Sequence, residues 1–120
     1  WRQTGRWHVT IRMADRIRIP AVVLGEFFHG CRRARKGAEN LRKLDAFLAE
    51  PQVTIQPVGR RTAEIYAEFL EILRKQGTPI PTNDIWIAAC AHETSSLLVT
   101  RDAHFAHLPA IRVAGEDGSA

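Results

Sequence analysis

Asp84 and Asp102 are the two side chains best placed to do chemistry together. Asn83-Asp84 precedes a run, Ile85 to Ala91, that is apolar on every side, and Asp102 follows Leu97-Leu98-Val99-Thr100-Arg101. Short polar side chains suit a helix start, and the apolar run predicts a buried helix from Asp84 to about Thr94. Leu97 to Arg101 predicts a short buried strand. Such a helix is ~16 Å long at ~1.5 Å per residue, and the strand covers a similar ~16 Å at ~3.3 Å per residue. A helix running down a sheet and a strand running back therefore bring both carboxylates to one edge. That edge is the carboxyl end of the strands, where open α/β sheets place their sites. Two carboxylates meeting there repel each other unless a cation stands between them, and oxygen donors suit Mg²⁺ or Mn²⁺. Taken singly, each has a plainer role, as a helix cap or as a turn residue. The matched lengths are what argue for chemistry.

Glu26 is the third carboxylate. It falls in the second turn of a helix expected to begin where a strand ends, so the same geometry places it near the same edge. Its neighbours Val22, Val23, Leu24, Phe27 and Phe28 are apolar, and a carboxylate in that setting needs a cation or hydrogen-bond donors. The plainer alternative is an ion pair with a nearby arginine. Thr100 offers a hydroxyl beside Asp102. Asn83 is expected to cap the helix rather than reach the site, and Arg101 either to meet a phosphate or to face solvent. His104 and His107 are expected to be loop residues without a partner.

The elements that must position these groups alternate in type. Val9 to Met13 fits a strand or a helical remnant, and residues 1–14 form a poorly defined start. Ile17 and Ile19 alternate with arginines in a strand that Pro20 ends. A helix follows from Ala21 to about Lys36, broken by Gly37, and a second from Ala38 to Glu50 is amphipathic through Leu41, Leu44, Phe47 and Leu48. Val53-Thr54-Ile55 is a strand. Arg60 to Gln76 is a long helix buried through Ala63, Ile65, Tyr66, Phe69, Leu70 and Leu73. A rigid loop, Gly77 to Pro81, delivers the chain to Asp84. Ile111-Arg112-Val113 is a last strand, and Gly115–Ala120 a polar tail expected to fray. Strands alternating with helices predict one α/β domain over residues 1–120, a three-layer α/β/α arrangement on a mainly parallel sheet.

The 120 residues can bury a core without staples, and no apolar run is long enough to cross a bilayer. Cys31 and Cys90 lack metal-ligand spacing and read as buried, reduced thiols of a cytoplasmic protein. The net charge of +4 is mostly arginine, concentrated near the start and in Arg32-Arg33-Ala34-Arg35-Lys36. Such patches favour a polyanion, and arginine suits phosphate, although cations at a helix end also offset its dipole. A first residue that is Trp and not Met suggests sequence upstream of this start.

Asn83-Asp84-Ile85-Trp86-Ile87-Ala88-Ala89, followed by Leu98-Val99-Thr100-Arg101-Asp102-Ala103-His104-Phe105, resembles the second half of a PIN domain. The likeness is closest to the VapC-like toxins of bacterial type II toxin–antitoxin pairs. Upstream, Ile19-Pro20-Ala21-Val22-Val23-Leu24-Gly25-Glu26 with Gly30 resembles the same family's glutamate motif, and the whole likeness runs from about Asp15 to Val113. It implies an Mg²⁺-dependent endoribonuclease with Glu26, Asp84 and Asp102 around the metal, Thr100 beside them, a cognate antitoxin and a homodimer. It departs in one respect. Family members carry a first Asp at the end of an N-terminal strand, and here Asp15, the sole acidic residue before Glu26, precedes a strand and does not take that role. An inactive module that binds RNA or an antitoxin without cleaving is therefore the alternative, and a PIN nuclease acting on DNA a third.

Overall fold

Pro20 closes one strand and opens one helix, and that junction sets the layout of the sheet edge. The computed structural model describes residues 9–12, 16–100 and 102–114, with side chains from residue 16 onward. The expectations for residues 1–8, Met13, Asp15, Arg101 and the Gly115–Ala120 tail lie outside these residues. In chain order the elements are β1 (Val9–Arg12), β2 (Arg16–Pro20), α1 (Ala21–Arg33), α2 (Gly37–Leu48) and β3 (Val53–Gln56). They continue with α3 (Arg60–Gln76), α4 (Thr82–Glu93), β4 (Leu97–Val99), a 3-10 helix (Ala103–His107) and β5 (Val113–Ala114).

The strands form one sheet in the order β3-β2-β1-β4-β5. β2 pairs with β3, and β4 with β5, in parallel, whereas β1 runs antiparallel to both of its neighbours. Strands β2 to β5 thus share one direction, as a mainly parallel sheet requires, and the three-layer α/β/α arrangement is the one formed. β1 alone is reversed. Val9 stands opposite Val99 and Ile11 opposite Leu97, so the amino end of β1 lies at the carboxyl edge of β4.

The core joins Ile19, Val23, Phe27, Leu44, Ile65, Phe69 and Leu73 to Ile87, Leu98, Phe105 and Leu108. Helix α4 is buried from Asp84 to Ala91 except at Trp86. Trp86 is half-buried and stacks on Tyr66, ring centroids 4.1 Å apart at 18°. In α3 the expectation for Ala63 is corrected: it is exposed, and Thr62 turns inward instead. The Thr62 hydroxyl can be buried because it is satisfied twice. It accepts the Gly59 backbone N–H at 3.0 Å and donates to Glu93 Oε1 at 2.5 Å, joining the start of α3 to the end of α4.

Strand β4 ends at Val99, before the expected Arg101, and α2 runs from Gly37 to Leu48 in place of Ala38 to Glu50. Three further boundaries differ for local reasons. Helix α1 stops at Arg33, because α2 must begin against its last turn: a Cβ on Gly37 would lie 1.8 Å from the Cys31 carbonyl oxygen. Helix α4 begins at Thr82, not at Asp84. Pro81 holds φ at −57° and its carbonyl accepts the Asp84 and Ile85 N–H groups at 3.0 and 3.3 Å, so the proline starts the helix. The last strand is Val113–Ala114, where the Arg112 and Ala114 carbonyls accept the Leu98 and Thr100 N–H groups. At the other end of α3, Gly77 takes φ +71° and Thr78 N–H returns to the Leu73 carbonyl, the left-handed stop that glycine allows.

Candidate metal and active site

Four segments meet where β2 and β4 end. Helix α1 leaves β2 there and carries Glu26 in its second turn, while the first turn of α4 carries Asn83 and Asp84. Thr100 and Asp102 follow β4 directly, and the 3-10 helix brings His104.

Each side chain is held by its own segment. Asp84 is only 7% exposed, in the first turn of a helix whose N-terminal dipole favours a negative charge. The buried Thr100 Oγ1 accepts the Asp102 backbone N–H at 3.0 Å, which fixes the chain where the strand ends. Asp102 Oδ1 in turn accepts the His104 backbone N–H at 2.9 Å and caps the 3-10 helix. Asn83 does not cap α4, which corrects the expectation. Because the helix starts at Thr82, Asn83 lies inside the first turn and its Nδ2 donates to Glu26 Oε2 at 3.3 Å.

The carboxylates of Asp84 and Asp102 converge as the matched lengths predict, and a third group joins them. His104 Nδ1 lies 2.9 Å from Asp84 Oδ2 and 3.0 Å from Asp102 Oδ1, so the expectation of a partnerless loop histidine is corrected. The hydrogen bond to Asp84, together with the charges of both carboxylates, raises the His104 pKa above its ordinary value, although partial burial pulls it down. The signal in the sequence is Asp102-Ala103-His104 itself: an Asp after a strand bonds the backbone two residues on and so aims residue 104 back at the edge. His107, on the same 3-10 helix, is exposed.

The donors fit a divalent cation. One atom each of Asp84, Asp102 and His104 lies within 4.8 Å of the others, and among the described residues no Lys or Arg pairs with either carboxylate. Two carboxylates this close, one of them nearly buried, call for positive charge. Glu26 stands outside that close group and is joined to it through Asn83. Arg32 and Arg33 are exposed at the end of α1, ~9 Å or more along the helix from Glu26. Arg35 and Lys36 are exposed in the turn before α2. No described helix is long and apolar enough to cross a membrane.

Comparison with known proteins shows the family and the fold. The PIN domain family matches residues 2–111. Ribonuclease VapC2 of Rickettsia felis is 31% identical over 86 residues, which cover 72% of this chain and 63% of that protein. Ribonuclease VapC1 of Haemophilus influenzae is 25% identical over 88 residues, covering 73% and 64%. The chain thus spans less than two thirds of the length of these curated relatives. Among solved structures, VapBC2 from Rickettsia felis bound to a DNA fragment of its promoter superposes with a TM-score of 0.74 at 28% identity, over 82% of this chain and 73% of that one. VapBC-5 from Mycobacterium tuberculosis gives a TM-score of 0.68 at 29% identity, over 81% and 78%.

Proposed function

This chain belongs to the PIN-domain family, and from that premise we propose that it is a metal-dependent endoribonuclease, the toxin of a type II toxin–antitoxin pair. The observation that carries the reading is the meeting of Asp84 and Asp102 at the carboxyl edge, with Glu26 tied to the same place by Asn83. Mg²⁺ or Mn²⁺ held there would supply an activated water and offset charge on the scissile phosphate. The chain's own part is to keep the donors in place. Asp84 is fixed by the buried start of α4, Asp102 by the Thr100 hydroxyl, and Glu26 by the Asn83 amide. Exposed Arg32, Arg33, Arg35 and Lys36 would take the RNA backbone, and binding should weaken steeply with salt.

The named relatives support this reading, since both are ribonucleases, and two structural neighbours at more than 25% identity are VapBC assemblies. On that support we assign the chain a cognate antitoxin that covers the carboxylate edge, a homodimeric state and a cytoplasmic location.

One observation favours a second reading, a PIN module that binds RNA or its antitoxin without cutting. The family's first acidic group comes from a strand that ends at this edge. Here the strand between β2 and β4 is β1, which runs the opposite way and whose residues, Val-Thr-Ile-Arg, include no carboxylate. Incubation of the chain with transfer RNA, ribosomal RNA and single-stranded DNA, in Mg²⁺ or Mn²⁺ and again in chelator, separates the readings. The endoribonuclease cuts RNA only with metal. Binding without cutting in every buffer establishes the inactive module, and cutting of DNA alone establishes a deoxyribonuclease.

A further inference from the structure

The carboxylates account for the proposed activity, yet the side chain that lies between them is an imidazole. His104 Nδ1 stands 2.9 Å from Asp84 Oδ2 and 3.0 Å from Asp102 Oδ1. An octahedral cation with bonds of ~2.1 Å asks its adjacent donors to stand about 3 Å apart. The nitrogen therefore already has the spacing of a donor adjacent to each carboxylate. Its placement is not loose: the His104 backbone N–H is held by Asp102 Oδ1 at 2.9 Å, and the Asp102 N–H by Thr100 Oγ1 at 3.0 Å. One turn delivers carboxylate and imidazole together, while Asp84 arrives from α4. The His104 side chain is 45% exposed, which leaves the group open to water and substrate on one side.

We propose, on the metal reading above, that His104 Nδ1 is a direct ligand of the cation, so that the donor set includes an imidazole beside its carboxylates. This changes which cation is preferred. Mg²⁺ takes oxygen donors and keeps its waters, whereas an imidazole nitrogen suits the first-row transition ions, for which affinity at such sites rises from Mn²⁺ to Cu²⁺. The site should hold Mn²⁺ in preference to Mg²⁺ by more than three carboxylates would.

Mn²⁺ binding to the whole chain tests this without reference to activity. Free Mn²⁺ is counted by its electron paramagnetic resonance signal in titrations of the wild type, His104→Gln and His104→Asp, with Mg²⁺ as competitor. Pulsed measurements on the bound ion then look for coupling to a nitrogen nucleus. The wild type is expected to show one directly bound imidazole nitrogen. His104→Gln should lose that signal and about tenfold or more of its Mn²⁺ affinity, in the range of a lost metal-site partner. His104→Asp restores an oxygen donor, so it should bind without nitrogen coupling and with its preference moved toward Mg²⁺. The hydrogen bond from residue 104 to Asp102 uses the backbone, so both variants keep it. Mn²⁺ uptake by the wild type without nitrogen coupling, or the same coupling in His104→Asp, overturns this inference and leaves the metal reading standing. Absence of Mn²⁺ uptake in all three proteins overturns both.

Discussion

Asp102→Asn should change the stability of the metal-free chain in a way that depends on pH. Two carboxylates meeting without a metal would gain from losing one charge, so neutralising Asp102 would be harmless or stabilising. The structure modifies that, because His104 lies between them with its pKa raised, chiefly by the hydrogen bond to Asp84. A histidine whose folded pKa is raised contributes stability that is fully present below its unfolded value, 6.5, and lost as pH rises through the folded value. Below that window Asp102 is half of an ion pair with a protonated imidazole; above it, Asp102 only repels Asp84. The side chains of His104 and Asp102 are 45% and 30% exposed, so the pair belongs with screened surface pairs worth roughly 0.2–1 kcal/mol. Asparagine keeps an oxygen for the His104 backbone N–H, so the cap of the 3-10 helix survives. Asp102→Asn should therefore cost about 0.5–1 kcal/mol near pH 5.5 and be neutral or slightly stabilising near pH 8.5. Urea melts in chelator at the two pH values measure this. A loss above about 2 kcal/mol at the higher pH would make Asp102 a structural residue and refute the reasoning. So would a cost that is equal at both.

Two further predictions concern the frame of the site. Gly37→Ala places a methyl group against the Cys31 carbonyl, a backbone atom that cannot rotate away, so it should cost about 2 kcal/mol or more in a denaturant melt; a neutral result would mean that α1 and α2 separate easily. Burial pushes the Cys90 thiol up to about 12, with the Glu93 charge adding to it, so Cys90 should resist an aromatic disulfide reagent at pH 8 until the chain is unfolded; rapid labelling of the native protein would contradict the packing of α4.

Much of this could be read from the sequence where local chemistry brackets an element. Helix α3 begins and ends as expected because Gly59 and Gly77 stand at its two ends, and α4 is buried because Ile85 to Ala91 offers no polar face. The meeting of Asp84 and Asp102 was legible from the element lengths together with the family resemblance, although α4 begins at Thr82 and β4 ends at Val99. What escaped depends on geometry between segments. Alternation in Val9 to Met13 left a strand and a helical remnant equally open and carries no information on direction, so the antiparallel strand β1 was not foreseeable. Asn83 reads as a cap unless Pro81 is known to start the helix. In α3 the expected phase holds from Ile65 to Leu73, and only the first inward position differs, Thr62 in place of Ala63, because the hydroxyl's partner Glu93 is remote in sequence. His104 likewise finds its partner Asp84 on another helix.

The central claim is that Asp84 and Asp102 form the working site, and the cleavage rate of their variants tests it most directly. RNA cleavage in Mn²⁺ or Mg²⁺ is timed for the wild type, Asp84→Asn and Asp102→Asn, with RNA affinity measured alongside. Rates should fall by about two orders of magnitude or more in each variant, with RNA affinity kept, because the metal and its water would be displaced while the arginines are untouched. Variants that cut as fast as the wild type would place the chemistry elsewhere.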